Sequence, residues 1–125
     1  YGLNTNINQI EGISSDKIQL ITKGQEEKRS IKINYSNSSE LKNMKVIVKA
    51  IEITGEFEYK ETSNSKNKIS IDTTELNVGN EEGLEQNINI VFKNGLQAGT
   101  YRILVELYDE YGQFRTSDYV DFIVN

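Results

Sequence analysis

The acidic side chains best placed for chemistry lie close together near the C-terminus of the chain: Asp109, Glu110 and Asp118. Two carboxylates can hydrolyse a glycoside, and carboxylate oxygens are also the ligands that calcium prefers. The sequence has no Asp-x-Asp-x-Asp-Gly loop of the kind that binds calcium in an EF-hand. Charged residues at the end of a hairpin are usually solvated, so we predict no catalytic and no metal site and keep the three acids as weak calcium candidates.

The inventory of side chains removes most enzyme classes. The sequence of 125 residues contains neither His nor Cys. A Ser-His-Asp triad or a Cys-His pair therefore cannot be built, and the general base that enzymes use most often is missing. Without Cys there is also no disulfide framework and no thiolate zinc site. We predict that the protein is not an enzyme and that it requires no cofactor.

Aromatic residues gather in the same part of the chain: Tyr108, Tyr111, Phe114 and Tyr119. Alternation along the predicted strands places them on the outer face or at the tip of the last hairpin. Exposed rings of this kind can stack on sugars, and they can equally cover a sheet or contact a neighbouring domain. The pattern favours the covering role and keeps a ligand-binding patch as the alternative.

Strands must position these side chains, because apolar residues alternate with polar ones through most of the chain. Polar, turn-rich clusters interrupt the alternation at short intervals, which is typical of an all-β sandwich. We predict a single domain, an antiparallel β-sandwich of about seven or eight strands over residues 17–125, preceded by a lead-in or edge strand over residues 1–16. We also expect a bulge or bend near Ala50 that exchanges the buried face of the strand from Met44 to Ile53, and a long connection from Thr73 to Gly83.

The last hairpin can be given a register from the sequence. If Tyr111 and Gly112 form the centre of the turn, Glu110 faces Gln113. Counting outward from that turn pairs apolar residues with each other on one face and complementary residues on the other. The predicted pairs are Ile103 with Val120, Tyr101 with Phe122, Arg102 with Asp121, Leu104 with Tyr119, and Tyr108 with Arg115.

The strand that leads into this hairpin opens with Gly99, Thr100 and Tyr101. A Tyr at the start of a sandwich strand can pack its ring inward while its hydroxyl bonds the backbone a few residues upstream. Tyr101 shares its predicted face with Ile103 and Val105, and Gly99 supplies a permissive backbone where the chain turns. We predict a structural role for both Tyr101 and Gly99.

The stretch from Leu96 to Gly112 has the pattern L-x-A-G-T-Y-R, then an alternating strand and Y-D-x-x-G, and it resembles the immunoglobulin-like (Ig-like) modules of bacterial surface and secreted proteins. Residues 31 to 48 are similar to the second strand, loop and third strand of such modules. The likeness extends from Lys17 to Val124. Because the Cys pair and the core Trp of antibody domains are absent, it implies an Ig-like sandwich and leaves the partner open.

Charge and hydropathy narrow the range of partners. The net charge is −5 at pH 7 and the sequence pI is about 4.8, with Lys and Arg scattered among acids. The phosphate backbone of a nucleic acid attracts clustered positive charge, and this acidic chain has none. We therefore expect no nucleic-acid partner. No apolar run approaches the length of a bilayer span, so we expect no membrane insertion. The richness in Asn, Ile, Lys and Glu points to a bacterial source.

These observations predict a non-catalytic, extracellular or cell-surface Ig-like module that acts as a spacer, adhesion or assembly unit within a larger multidomain chain. Its partner is expected to be a protein or a cell-surface glycan. Two alternatives stay open. One is a carbohydrate-binding module that uses the Tyr-rich last hairpin, and the other is a fibre-forming subunit in which Tyr1–Ile13 pairs with the sheet edge of a neighbour.

Overall fold

The chain folds as an all-β structure, as the alternation predicts. The computed structural model describes residues 3–10, 18–22, 24–37, 43–55, 58–60, 68–78 and 83–125. Within these ranges there are ten strands and their turns, and no helix long and apolar enough to cross a membrane. The strands are β1 (Leu3–Ile10), β2 (Ile18–Ile21), β3 (Glu27–Asn37), β4 (Met44–Gly55), β5 (Glu58–Lys60), β6 (Ile69–Ile71), β7 (Glu75–Val78), β8 (Gly83–Phe92), β9 (Gly99–Tyr108) and β10 (Phe114–Val124).

The strands form two sheets whose inward faces share one core. The first sheet contains four strands in the order β1-β3-β8-β6. The second contains six strands: β2, β10, β9, β4 and β5 follow one another, and β7 pairs with β4. Among the described strands every pairing is antiparallel except that of β2 with β10, which is parallel. This arrangement is the Ig-like antiparallel β-sandwich that the sequence predicts.

The core lies between the sheets and is built from alternate positions of each strand. Its fully buried members include Ile31, Ile33, Ile88, Ile90 and Phe92 from the first sheet, and Tyr101, Ile103, Leu107 and Phe122 from the second. The rings of Phe92 and Phe122, one from each sheet, have centroids 4.8 Å apart. Burying a large apolar side chain contributes about 1.5–3 kcal/mol. A core of this kind therefore stabilises the sandwich without a disulfide.

Two expectations about the middle of the chain are wrong. The register of β4 with β9 continues without a shift through Ala50, so no bulge is present there, although the buried positions change from Met44, Val46 and Val48 to Ile51. Ile51 lies on the outer face opposite Arg102 and is nevertheless only 4% exposed, so its burial requires no bend. Part of the expected connection, Glu75–Val78, is the strand β7, which pairs with the first residues of β4. In the part of the chain that the structure describes, nine strands follow residue 17 where we expected seven or eight, and β1 precedes them.

The N-terminal segment forms an edge of the four-stranded sheet. β1 pairs with β3 of the same chain from Leu3, opposite Asn37, to Ile10, opposite Ile31, with one irregularity after Ile7. Of the two descriptions that the sequence allows for this segment, a lead-in or an edge strand, the structure has the edge strand. The first sheet is thus completed by residues that precede Lys17.

The edge strand β2 of the second sheet is covered in part by a side chain from the first sheet. Arg29 of β3 reaches across the sandwich, and its Nη2 donates to the carbonyl of Leu20 at 3.2 Å. The same nitrogen lies 3.1 Å from Oε1 of Glu27, which holds the guanidinium in place. Arg29 is thus hydrogen-bonded to a backbone carbonyl of the edge strand. A free carbonyl of this kind can pair with another chain.

Candidate functional site

The corner before β9 is held by Tyr101. Its ring is fully buried, and its hydroxyl donates a hydrogen bond to the carbonyl of Gln97, four residues upstream, at 2.8 Å. Gly99 lies against the same ring, since a Cβ at Gly99 would be 3.7 Å from Cε2 of Tyr101. Burial, followed by the negative charge of Glu52, raises the pKa of the Tyr101 hydroxyl, so the group stays protonated and donates. The Gly-Thr-Tyr triplet therefore fixes the entry to a core strand.

The register of the last hairpin agrees with the prediction along the strands and differs from it near the turn. Four of the predicted pairs are present: Ile103 with Val120, Tyr101 with Phe122, Arg102 with Asp121, and Leu104 with Tyr119. The fifth is wrong, because Tyr108 lies opposite Phe114 instead of Arg115. The register shifts between Phe114 and Thr116, which is the mark of a β-bulge.

The turn itself is displaced by one residue from the predicted one. The N–H of Asp109 donates to the carbonyl of Gln113, and the N–H of Gly112 donates to the carbonyl of Asp109, so Glu110 and Tyr111 form the turn centre. Gly112 follows with a φ of 80°, a conformation that favours glycine. The bulge in β10 adds one residue to that strand and so restores the predicted pairing further along the hairpin.

Asp109 organises the hairpin tip, and it is only 3% exposed. Its Oδ1 accepts hydrogen bonds from the N–H groups of Tyr111 and Gln113, both at 2.9 Å, and its Oδ2 lies 3.1 Å from Nη2 of Arg115. The bond from Gln113, helped by Tyr111 and Arg115 and opposed by burial, holds the pKa of Asp109 below its ordinary value. Asp109 is therefore a buried, ionised turn residue, whereas we expected a solvated one.

The three acids considered as calcium ligands are not brought together. Oδ1 of Asp109 accepts two hydrogen bonds within the turn, and Oδ2 is ion-paired with Arg115 of β10. Glu110 is exposed at the tip, where its Oε2 lies 3.5 Å from Nδ2 of Asn43. Asp118 lies several pairs further down the hairpin, and its Oδ1 accepts a hydrogen bond from the N–H of Tyr119. In the part of the chain that the structure describes, no three acidic side chains are grouped to hold a metal ion.

The four aromatic residues of the predicted patch fall into two groups. Tyr108 and Phe114 lie opposite each other, and their rings meet edge to face with centroids 5.9 Å apart. Phe114 is 54% exposed and Tyr111, at the tip, is 78% exposed. Tyr119 is separate from them, because the guanidinium of Arg102 lies over its ring, 3.8 Å from the centroid. The patch near the tip therefore consists of Tyr108, Tyr111 and Phe114.

Tyr119 belongs to a cluster at the centre of the outer face of the six-stranded sheet. Arg102, which lies over its ring, donates from Nε and Nη2 to the two carboxylate oxygens of Asp121, at 2.8 and 3.1 Å. The hydrogen bonds to Asp121 raise the pKa of the Arg102 guanidinium, although burial opposes them. A bidentate pair of this geometry holds both side chains in one orientation. Along β10, this cluster lies between Phe114 at the hairpin end and the residues after Asp121 that pair with β2.

A groove of about 370 Å³ opens on this outer face beside the hairpin tip. Its floor is formed by outward side chains of the sheet, Ile47 of β4 and Tyr108 of β9. Lys45 pairs with Tyr108 and Ile47 pairs with Glu75 of β7, so three neighbouring strands fix the floor and one side. The lining is completed by Asn43, Asp109, Glu110 and Gly112.

Polar groups surround the apolar floor of the groove. Nζ of Lys45 lies 3.3 Å from Oε1 of Glu75, and these two side chains are 48% and 51% exposed. At the tip, Nδ2 of Asn43 lies 3.5 Å from Oε2 of Glu110. The hydrogen bond with Glu110, and then its charge, raise the pKa of the Tyr111 hydroxyl. The groove thus offers an ammonium, an amide and two accessible carboxylates, together with a protonated phenol nearby.

Sequence reasoning missed one side of this groove, formed by Asn43, Lys45, Ile47 and Glu75. Glu110 and Asn43 are 67 residues apart in the chain, so no local pattern connects them. The backbone conformation of Asn43 is a structural signal for this side of the groove. Among the described residues, Asn43 alone has a positive φ without being a glycine, at 58°. Asn tolerates this left-handed conformation better than most residues do.

The comparisons with known proteins concern the fold only. No protein family model matches the chain, and no curated protein matches its sequence. The DNA-binding domain of Cep-1, the C. elegans ortholog of human p53, matches with a TM-score of 0.60 at 9% identity, over 85% of this chain and 76% of that chain. The E. coli chaperone DraB matches with a TM-score of 0.51 at 10% identity, over 98% of this chain and 54% of that chain.

A third structure, the CARDB domain of the PF1109 protein from Pyrococcus furiosus, has a TM-score of 0.49 at 14% identity, over 98% of this chain and 87% of that chain. At identities this low, a similarity in structure concerns the path of the chain and not its partners. The two-sheet topology and the matches to Cep-1 and DraB agree on the architecture. The chain is an all-β protein with an Ig-like β-sandwich fold.

Proposed function

We propose that this chain is a non-catalytic Ig-like module of a bacterial extracellular or cell-surface protein, and that it is an adhesion unit that binds through the outer face of its six-stranded sheet. One observation carries the proposal: this face exposes large apolar and aromatic side chains although the core between the sheets is already closed. The exposed set is Tyr111 and Phe114 at the hairpin end and Ile18 and Leu20 at the β2 end; Tyr119 is not counted, because the guanidinium of Arg102 lies over its ring. Larger exposed apolar patches on soluble domains mark interaction sites.

The side-chain inventory supports a non-catalytic role. The sequence holds no His and no Cys, so the common nucleophile and base pairs are unavailable. Asp109, the buried acid of the hairpin tip, accepts two backbone N–H groups and pairs with Arg115. Its lowered pKa makes it a poor general acid near neutral pH. The extracellular or surface location rests on the resemblance of residues 96–112 to bacterial surface modules.

An adhesion role explains the exposed side chains at the two ends of this face better than a plain spacer role does. At the hairpin end, Tyr111 and Phe114 stand beside a groove of about 370 Å³, which suits a ligand or a protruding side chain. At the other end, Ile18 and Leu20 are 60% and 63% exposed and suit contact with a neighbouring domain of the same protein. The fibre alternative is less favoured, because β1 already pairs with β3 of its own chain.

Fluorescent beads coated with the chain test the adhesion role. We expect the beads to attach to a defined surface in a panel of cells, immobilised matrix proteins and immobilised glycans. Attachment should fall when Tyr111 and Phe114 are both replaced by Ser. Asn87→Ser, at an exposed position of the first sheet, is the matched control and should leave attachment unchanged. Beads that attach nowhere, or equally well after the double substitution, contradict the proposal.

Antibody labelling tests the location of the protein independently. The antibody is raised against this chain and applied to intact and to permeabilised cells of the source bacterium. We expect intact cells or their culture medium to carry the signal. Labelling that requires permeabilisation contradicts the surface proposal and leaves the bead experiment to decide on adhesion alone.

A further inference from the structure

We infer that the groove beside the hairpin tip binds a neutral saccharide, with a sugar ring on the floor formed by Ile47 and Tyr108. The inference rests on the proposed adhesion role and names the chemical class of its ligand. It depends on the groove, its apolar floor and its polar rim, and not on the exposed rings alone. Tyr119, which the sequence includes in the aromatic patch, plays no part in it because Arg102 covers its ring.

The floor suits the apolar face of a sugar ring. Outward side chains of β4 and β9 form it, so it is part of a hydrogen-bonded sheet and keeps its shape without a ligand. The ring of Tyr108 is held from the side by Phe114, edge to face at 5.9 Å. An aromatic ring fixed in this way offers large contact area at little cost in side-chain entropy. C–H groups of a pyranose can therefore pack on Tyr108 and Ile47.

The rim suits hydroxyl groups, which both donate and accept hydrogen bonds. Lys45 and Asn43 present donors, and Glu75 and Glu110 present acceptors, on two sides of the floor. A sugar hydroxyl can satisfy one of each at the same time. An anionic ligand would meet the two carboxylates at close range. A cationic ligand would meet the ammonium group of Lys45. Because the carboxylates of the rim outnumber its ammonium group, a cation is still a stronger competitor for the groove than an anion.

The groove is also pre-formed to a degree that favours a small ligand. Its volume of about 370 Å³ lies near the lower end of the range for small-molecule sites, about 300–1,000 Å³. Asn43 holds a φ of 58° at the rim, and left-handed backbone at a non-glycine residue is more frequent at binding sites than elsewhere. Strand pairing of Lys45 with Tyr108 and of Ile47 with Glu75 fixes the rest. The site therefore fits a mono- or disaccharide unit of a longer glycan.

Isothermal titration calorimetry, with tyrosine fluorescence as a second readout, tests the inference. The probes are glucose, galactose, mannose and N-acetylglucosamine, the disaccharides cellobiose, maltose and chitobiose, and trilysine as the cationic rival. We expect saturable binding of at least one saccharide and none of trilysine. Tyr108→Ala should abolish that binding. Asn43→Ala and Glu110→Gln, at exposed rim positions, should each weaken it at least fivefold, and Tyr119→Ala should leave it unchanged.

Each outcome decides the inference separately from the adhesion proposal. No saccharide binding, or binding that survives both rim substitutions, overturns the saccharide site. Trilysine binding without saccharide binding overturns it in favour of a basic partner. If Tyr108→Ala does not fold, the two exposed rim substitutions decide. Bead attachment measured in parallel keeps the proposals distinct: attachment that depends on Tyr111 and Phe114 but is not inhibited by any saccharide supports adhesion and overturns the sugar ligand.

Discussion

The hydroxyl of Tyr101 and the backbone carbonyl of Gln97 form a hydrogen bond of 2.8 Å across the corner that leads into β9. The ring of the same tyrosine is fully buried between the sheets, opposite Phe122 of β10. One side chain thus contributes to the core and also ties down the loop before its own strand. Gln97 is itself exposed, so this part-buried hydrogen bond should contribute about as much as an ordinary intramolecular one. This pair therefore gives a test of how the corner stabilises the sandwich.

Removing only the hydroxyl should measure the corner bond. We expect Tyr101→Phe to lower the free energy of unfolding by about 0.5–1.5 kcal/mol, because the part-buried hydrogen bond to the carbonyl of Gln97 is lost. Removing the ring as well, in Tyr101→Ala, should cost roughly 3–5 kcal/mol through the cavity left in the core. Urea unfolding gives both values, with Tyr111→Phe at a 78% exposed position as the control. A Tyr101→Phe midpoint equal to that of the parent refutes the role of the bond.

The carboxylate of Asp109 should be the most important acid for the last hairpin. Asp109→Ala removes the acceptor for two backbone N–H groups and the partner of Arg115, so it should clearly lower the urea midpoint. Asp109→Asn should lower it less, because the amide oxygen still accepts hydrogen bonds in the turn. Glu110→Gln, at an exposed position of the same turn, is the control and should change little. Equal midpoints for all three variants contradict the prediction.

The same carboxylate should make the fold sensitive to acid. The pKa of Asp109 is lower in the folded chain than its reference value of 3.8, so the unfolded state binds more protons. Its contribution is fully present above the pKa of the unfolded carboxyl and is lost as the pH falls through the native pKa. Asp72 acts in the same direction: burial opposes the shift, but the hydrogen bonds from Asn89 and Thr73 together lower its pKa.

We therefore expect stability to decrease as the pH falls below about 4, the range in which unfolded carboxyls take up protons. The decrease should be shallower in Asp109→Asn than in the parent, because one of the titrating groups is gone. Urea unfolding at stepwise lower pH measures both slopes. Identical slopes would show that the native pKa of Asp109 does not differ from its unfolded value.

The bidentate pair of Arg102 and Asp121 should be stronger than the pair of Lys45 and Glu75 on the same face. A double-mutant cycle with Ala at both positions should give a coupling of about 1 kcal/mol, near the upper end for partly exposed pairs. Arg102→Lys should lose most of it, because an ammonium cannot donate two parallel hydrogen bonds. Lys45 and Glu75, a single contact of 3.3 Å between half-exposed side chains, serve as the comparison. Equal coupling in the two cycles contradicts this ranking.

Arg29 should keep the edge strand β2 from pairing with another molecule. Replacing it with Ser frees the carbonyl of Leu20 and leaves the exposed side chains of Ile18 and Leu20 in place. We expect a loss of roughly 1–2 kcal/mol in stability and an increased fraction of dimers. Sedimentation equilibrium over a range of concentrations measures association, with Lys28→Ser at an exposed position of β3 as the control. If Arg29→Ser is as monomeric as Lys28→Ser, Arg29 does not protect the edge strand.

The strand character of the chain, the corner at Tyr101 and the far pairs of the last hairpin follow from the sequence by itself. Alternation decides which face of a strand is buried, because a shift of one residue would expose the whole apolar face. Ile103 opposite Val120 and Arg102 opposite Asp121 satisfy both faces at once, so a single register is favoured. These features depend on residues that are close along the chain or joined by one turn, and local patterns describe such neighbours well.

Only the tertiary structure decided the turn centre, the burial of Asp109 and the groove. The bulge between Phe114 and Thr116 leaves the pattern of the distant pairs unchanged, so counting from the turn cannot reveal it. The charge of Asp109 is buried because backbone N–H groups and Arg115 converge on it, and composition alone suggests a solvated acid. The groove needs β4 to lie between β7 and β9. That order of strands is set by the packing of the whole sandwich, since neighbours in a sheet are chosen by the burial of their shared faces and not by local propensity.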